Sequence, residues 1–254
     1  MNPYRYFIHL AYDGTNFHGW QIQPNATTVQ ETLEDALTLV LREKITLTGA
    51  GRTDAGVHAK SFYAHFDITT LLNETDRKKL VYQLNSFTNP GLAVFEIFPV
   101  KPSAHARFSA ISRTYTYHIA TVKDPFRLLY QYYLHLPIDL NLMNEGAALI
   151  MQYHDFTSFS KVNTDTRTNN CKIFHAFWEE KENERVFTIR ADRFLRNMVR
   201  AIVGTLIDLG LQKISLQELR WIIESRNRSH AGKSVPGCGL LLEKVEYPSE
   251  IRLN

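Results

Sequence analysis

The stretch GAGRTDAGVHA, residues 49–59, sets a carboxylate, Asp54, among three glycines and two residues after an arginine. Glycines at 49, 51 and 56 permit positive φ and let another molecule approach the backbone closely. The loop is not a phosphate cradle: G-x-x-x-x-G-K-[ST] needs a Lys-Ser/Thr pair that does not follow here, and G-x-G-x-x-G fails at its third glycine. On local pattern alone two readings of Asp54 stand. It either bonds its own backbone in an Asx-type turn or has a chemical task.

A second candidate set lies in RFLRNMVRAIVGT. Arg193, Asn197, Arg200 and Gly204 are spaced four, three and four, which lines them along one face of a helix. Leu195, Val199, Ile202 and Leu206 line another. A helix apolar over most of its girth is expected to bury Arg200 partly, and a buried guanidinium wants an anionic partner. In RTYTYHI, Arg113, Tyr115, Tyr117 and Ile119 share one strand face. The two tyrosines read either as core aromatics, the better reading from pattern alone, or as a stacking platform for a nucleobase.

These groups need elements to hold them. YRYFIHLAY alternates with period two, with Tyr4, Tyr6, Ile8, Leu10 and Tyr12 on one face, and is expected to be a strand ended by Asp13-Gly14. Thr28 and Glu31 form a capping-box pattern opening a helix to about Glu43. ITLTG, the glycine-rich loop and SFYAHFDI follow, with Phe62, Ala64, Phe66 and Ile68 alternating inward in the last. LAVFEIFPV is a buried strand, and VKPS at 100–103 marks the expected division into 1–103 and 104–254. Beyond it the pattern predicts strand RTYTYHI, a helix near 142–152, strands around 172–178 and 185–190 joined by EEKENE, and a long helix over 194–209. Ser215 with Glu218 opens a short helix to about Ser225, and GLLLEKVEY closes as a strand. Strands alternating with helices, joined by hairpin-length turns, predict an α+β or α/β fold with a largely antiparallel sheet and helices on one face.

At 254 residues the chain can build one large domain or two compact ones, and 44% hydrophobic with 22% charged residues is ordinary for a globular protein. The N-terminal residues lack a signal-peptide core, and no apolar run approaches the ~18 residues of a membrane span. A cytoplasmic protein without membrane contact is expected. Cys171 and Cys238 stand far apart, which predicts reduced thiols rather than a disulfide framework or zinc site. The ten histidines show no ligand spacing, so no metal is expected. The net charge is only +3, but Arg190, Arg193, Arg196 and Arg200 face a single acid between them, Asp192, and Arg220, Arg226, Arg228 and Lys233 cluster further on. Local basic surface of this kind suits a polyanion such as nucleic acid.

YDGTNFHGWQ (12–21), TVQETLEDAL (28–37), GAGRTDAGVHA, RTYTYHI, FLRNMVRAIVGT (194–205) and AGKSVPGCGLLL (231–242) occur in one order. In that order they resemble the tRNA pseudouridine synthase I family, also called tRNA pseudouridine synthase A, over nearly the whole chain. GRTDAGVHA is the most specific of these blocks. Lys233 and Val235 depart from the family pattern, standing where its members more often carry smaller residues. The resemblance implies that Asp54 matches the catalytic nucleophile and that Arg52 matches the arginine filling the space of a flipped nucleotide. Tyr115 then matches the residue that stacks on the target uracil, and Arg200 the partner of the catalytic carboxylate. Arg113, Arg193 and Asn197 join Tyr115 and Arg52 as candidate substrate-binding residues. It further implies two similar α/β lobes with joined sheets and a cleft between them. The implied partner is the tRNA anticodon stem-loop, modified at positions 38, 39 and 40, bound by a homodimer.

Pseudouridine formation detaches uracil from C1′ of its ribose, turns the base and rejoins it through C5. It needs neither redox change nor group donor, consistent with no cofactor being expected. It does need a base flipped from its stack at a few kcal/mol, which aromatic stacking at roughly 1–3 kcal/mol offsets. A free aspartate titrates near ~3.9. A dry pocket raises such a group by up to ~3–5 pH units, and an adjacent arginine lowers it by about 1–3. Two other readings use the same residues. A non-catalytic RNA-binding module would reuse the basic and aromatic surface, but an acid such as Asp54 in an RNA groove repels phosphate. A nucleotide-transfer enzyme would need the missing Gly-Lys-Ser/Thr.

Overall fold

The computed structural model describes residues 3–162 and 166–253. Its elements run β1 (Tyr4–Tyr12), α1 (Val29–Leu41), β2 (Thr48–Gly49), β3 (His58–Ile68), α2 (Glu74–Phe87) and β4 (Leu92–Pro99). There follow β5 (Ser112–Ala120), β6 (Tyr132–Tyr133), α3 (Leu140–Ile150), β7 (Ile173–Lys181), β8 (Glu184–Ala191), α4 (Met198–Gly210), α5 (Leu216–Glu224) and β9 (Leu240–Glu246). Two compact units result. One reaches Ile111 and resumes at Leu242; the other is Ser112–Leu241.

In the first unit the strand order is β4-β1-β3-β9, with β1 antiparallel to both β3 and β4. The period-two pattern is obeyed: Ile8 lies opposite Ala64 and Leu10 opposite Phe62, and all four are buried. Burying each large apolar side chain here contributes roughly 1.5–3 kcal/mol. Tyr4, at the strand's start, stays 43% exposed. The other face of β1 is covered too. Phe7 packs with Phe98, Val100, Ala104 and Ala106, and Tyr247 and Ile251 close over them. Residues beyond VKPS therefore fold with the first unit, and the returning chain is tied down by Lys101 N donating to Ile251 O at 2.9 Å.

His65, on this face, is buried, and its Nδ1 accepts from Ala106 N at 3.1 Å. Burial, then the charge of Arg5 and the neighbouring His105, pulls its pKa from 6.5 down to about 4. Because the folded value lies below the unfolded one, the unfolded chain takes up this proton first as pH falls. The contribution is complete above about pH 6.5 and falls away toward pH 4, by up to roughly 3 kcal/mol. Urea melts at about pH 7 and pH 4.5 should show His65→Gln flattening the wild-type pH dependence of stability; an equal slope in the variant refutes the assignment.

Helix α1 begins at Thr28, whose side chain accepts from Glu31 N. It ends two residues short of the expected Glu43, with Arg42 in the left-handed region at φ 56°. ITLTG is not a full strand; only Thr48–Gly49 pairs with β3. The backbone of Leu47 is instead held by α1 side chains, its N–H donating to Glu34 Oε1 at 2.7 Å and its C=O accepting from Gln30 Nε2 at 3.1 Å. Helix α2 was not anticipated from the sequence. It carries a full capping box of Asn73 and Asp76 but buries only Leu80 and Leu84, too few apolar positions to display a 3.6-residue period.

In the second unit β8 lies between β5 and β7, antiparallel to both. The EEKENE turn is a tight hairpin with Lys181 opposite Glu184. Helix α3 docks on β7 through Asn144, which exchanges hydrogen bonds with Trp178 N at 2.8 Å and Trp178 O at 3.1 Å. Within each unit the fold is mixed α/β and largely antiparallel, as expected. Helix α4 starts at Met198, not Phe194, because Asn197 adopts φ 66°. That left-handed conformation suits asparagine and cannot continue a helix. Arg193 and Asn197 therefore precede the helix and do not share a helical face with Arg200 and Gly204. The Ser215–Glu218 capping box forms as expected and opens α5.

Candidate active site

The Asp54 loop is built from below by the residues that end β1. Tyr12, Trp20 and Phe62 form a buried aromatic cluster: the Trp20 and Phe62 rings stack at 4.2 Å, and Tyr12 meets Phe62 edge-on at 5.6 Å. On this platform the Tyr12 hydroxyl and Thr53 Oγ1 are 2.9 Å apart, and Trp20 N donates to Thr53 O at 3.2 Å. Gly19 lets the two segments meet. It has φ +88°, and a Cβ there would lie 2.3 Å from Thr53 O, so no side chain fits. The turn is closed by backbone, with Val57 N donating to Asp54 O at 3.2 Å. Gly56 has φ 74°, the conformation that the third residue of a type II turn requires. Thr53 is buried, Asp54 half-buried, and Arg52 exposed.

The loop's other glycines have different reasons. Gly49 lies against the Trp20 indole, where a Cβ would come within 2.6 Å of Nε1. At Gly51 a Cβ would meet nothing within 4 Å, so packing does not demand glycine at that position. Behind the loop, His58 Nδ1 lies 3.0 Å from both Gly14 N and Asp13 Oδ1.

In the second unit the shared strand face of β5 divides into two environments. Tyr117 is fully buried, its hydroxyl donating to Pro236 O at 2.9 Å, and burial pushes its pKa up. It is a core residue. Tyr115 is half-buried, its ring meeting Phe194 edge-on at 5.2 Å and 89°. Arg113 is 9% exposed and donates to Asp192 O at 2.7 Å. Asp192 Oδ1 in turn accepts from Lys172 N at 2.8 Å and Arg193 N at 2.7 Å. Arg113 and Asp192 thus hold the corner from which Phe194 reaches Tyr115.

Arg200 lies in the first turn of α4, half-buried as its helix implied. It is locked to the segment 231–235: its Nε donates to Val235 O at 2.8 Å, and Val235 N donates to Arg200 O at 3.2 Å. Asn197 Nδ2 donates to Ser234 Oγ at 2.6 Å. This segment comes close because Gly204 lacks a side chain; a Cβ there would sit 1.8 Å from Lys233 O. The structure thus brings Asn197 and Arg200 together on one strap, and Arg113, Arg193 and Tyr115 around one strand end.

Gly19, Trp20 and Thr53 under the aspartate, and Ser234 beside the arginine, are not marked individually by the sequence. Their signal is membership in the blocks YDGTNFHGWQ, GAGRTDAGVHA and AGKSVPGCGLLL. Both cysteines are unpaired by disulfides. Burial pushes the Cys171 thiol up to about 12 and raises that of Cys238, so neither is a nucleophile at neutral pH. Among the described residues no three His, Cys, Asp or Glu side chains are grouped to hold a metal ion. No helix among them is long and apolar enough to cross a membrane.

Comparison with known proteins gives this geometry a context. A family model described as tRNA pseudouridine synthase matches residues 8–109 and 153–248. The chain is 54% identical over 252 residues to a tRNA pseudouridine synthase A of Bacteroides fragilis, covering 99% of each chain. It is 49% identical to the protein of that name in Porphyromonas gingivalis, covering 98% of this chain and 99% of the other. To that of Clostridium acetobutylicum it is 39% identical, covering 94% and 97%.

Proposed function

The chain belongs to the tRNA pseudouridine synthase family, isomerases of uridine in tRNA, and on that premise we propose that it acts at positions 38, 39 and 40 of the anticodon stem-loop. In this reading Asp54 is the nucleophile that opens the glycosidic bond, Tyr115 stacks on the everted uracil, and Arg200 pairs with Asp54. Arg52 fills the space that the flipped nucleotide leaves, and Arg113, Arg193 and Asn197 support the bound strand. The observation that carries the reading is the Asp54 loop: a half-buried carboxylate on a turn braced by a buried aromatic platform. A loop that merely turned the chain has no need of such bracing.

The partner is tRNA in the cytoplasm, bound by a homodimer, as the resemblance implies. Light scattering that returned only monomer would remove the dimer from this proposal. Purified protein should release tritium from tRNA labelled at C5 of uridine, because C5 loses its hydrogen when the base rejoins. Mapping should then place pseudouridine at 38–40. No release, or modification elsewhere, overturns the assignment.

Tyr115→Phe keeps the ring and its edge contact with Phe194, so tRNA affinity should stay within about threefold of wild type because stacking survives. An inactive Tyr115→Phe that still binds would show the hydroxyl taking part in the reaction.

A further inference from the structure

Resting on the role just given to Arg200, we propose that Arg228 is a positioning residue for the reaction, setting the Arg200 guanidinium through the strap 231–235. Arg228 belongs to the second basic cluster noted in the sequence, which the proposed chemistry leaves without a task. It lies just before the strap, and its half-buried guanidinium makes three hydrogen bonds, all to strap atoms: Ala231 O at 3.3 Å, Gly232 O at 3.2 Å and Ser234 Oγ at 2.8 Å. None goes to a carboxylate. Burial lowers the pKa of Arg228, and no acid among the described residues opposes that effect. Desolvating a guanidinium without a counter-ion is costly, so the residue's value lies in the arc of backbone it gathers. A planar fork of donors suits that task and a lysine point charge does not.

The strap transmits this placement. Ser234 Oγ accepts from both Arg228 and Asn197 Nδ2, so one hydroxyl ties the clamp to the residue that precedes α4. The next residue, Val235, holds Arg200 at two points, by its N–H and by its C=O. The strap cannot slide along the helix. Gly232 N donates to Thr205 Oγ1 at 2.9 Å, and Lys233 O fits against the bare Cα of Gly204. Since the guanidinium is planar, the Nε bond to Val235 O fixes where its terminal nitrogens lie. A displaced Val235 carbonyl therefore misdirects Arg200, and misplacement of about 1 Å can cost about 100-fold in rate.

A double-mutant cycle separates positioning from plain stabilisation. Single-turnover tritium release at saturating tRNA is measured for Arg228→Gln, Arg228→Lys, Arg200→Gln and the Arg200→Gln/Arg228→Gln double variant, with tRNA Kd and Tm alongside. Arg228→Gln should slow release about 10- to 100-fold while Kd changes less than about threefold, and lysine should restore only a minor part of the rate. The double variant should be no slower than Arg200→Gln alone, within about threefold, because a residue acting through another adds nothing once that other is gone. Multiplicative losses, an unchanged rate in Arg228→Gln, or a rate fully recovered by cooling overturn the proposal. Should Arg228→Gln not fold, Ser234→Ala removes the shared acceptor and must show the same non-additivity with Arg200→Gln. If Arg200→Gln itself reacts at the wild-type rate, the role assigned to Arg200 falls, and this proposal with it. If Arg200→Gln is slow and the losses multiply, only the Arg228 proposal falls.

Discussion

Asp54→Asn is expected to release no measurable tritium from tRNA labelled at C5 of uridine, a loss on the order of 10⁴-fold or more, as when an enzyme's nucleophile is removed. The amide occupies the same volume, so the contacts that build the loop stay in place: the Tyr12 hydroxyl with Thr53, Trp20 N with Thr53 O, and the close approach at Gly19. Tm should therefore stay within a few degrees of wild type, and tRNA should still bind, since the substitution removes a charge that repels phosphate. What disappears is the negative charge that makes the side-chain oxygen a nucleophile. Release by Asp54→Asn at even a tenth of the wild-type rate would remove residue 54 from the chemistry while leaving the family assignment intact. The non-catalytic alternative makes the opposite forecast, because there the wild type itself releases nothing.

The second large effect belongs to Arg200. A carboxylate under a docked base loses water, and burial favours its neutral form; a neighbouring guanidinium opposes this by about 1–3 pH units. Each unit is tenfold in the ionised fraction once the group is largely protonated, so Arg200→Gln should slow single-turnover release by about 10- to 1000-fold near neutral pH. The direction of the pH dependence follows. Removing the cation favours protonation, so the deficit should be deepest in acid and shrink as pH rises. Binding of tRNA should change little, because Arg200 is half-buried with its Nε bound to Val235 O. An equal deficit at every pH would mean that Arg200 acts by shape alone and would refute this electrostatic role.

Much of the local structure was legible before any coordinates. Alternation in YRYFIHLAY and SFYAHFDI becomes β1 and β3 in register, with Ile8 opposite Ala64, because successive side chains of a strand point to opposite faces of the sheet. Ser215 and Glu218 cap α5 as read. Where the sequence misled, the reason was a partner out of its sight. ITLTG reads as a strand, yet Leu47 spends its backbone hydrogen bonds on Gln30 and Glu34. Helix α2 shows no apolar period because it buries only two leucines.

The candidate site divides the same way. The sequence by itself determined which residue types are available for chemistry: an aspartate among glycines, an arginine on an apolar helix, and paired tyrosines on a strand. Such signals are written within a few residues, at the spacing of a turn, a helix or a strand. Only the tertiary structure decided their surroundings. It showed that Tyr12 braces Thr53 from 41 positions away, that a left-handed Asn197 delays the start of α4 to Met198, and that Val235, 35 positions on, holds Arg200. The physical reason is that a hydrogen bond or a missing Cβ acts through space over a few ångströms. Folding alone sets which distant residues come within that range.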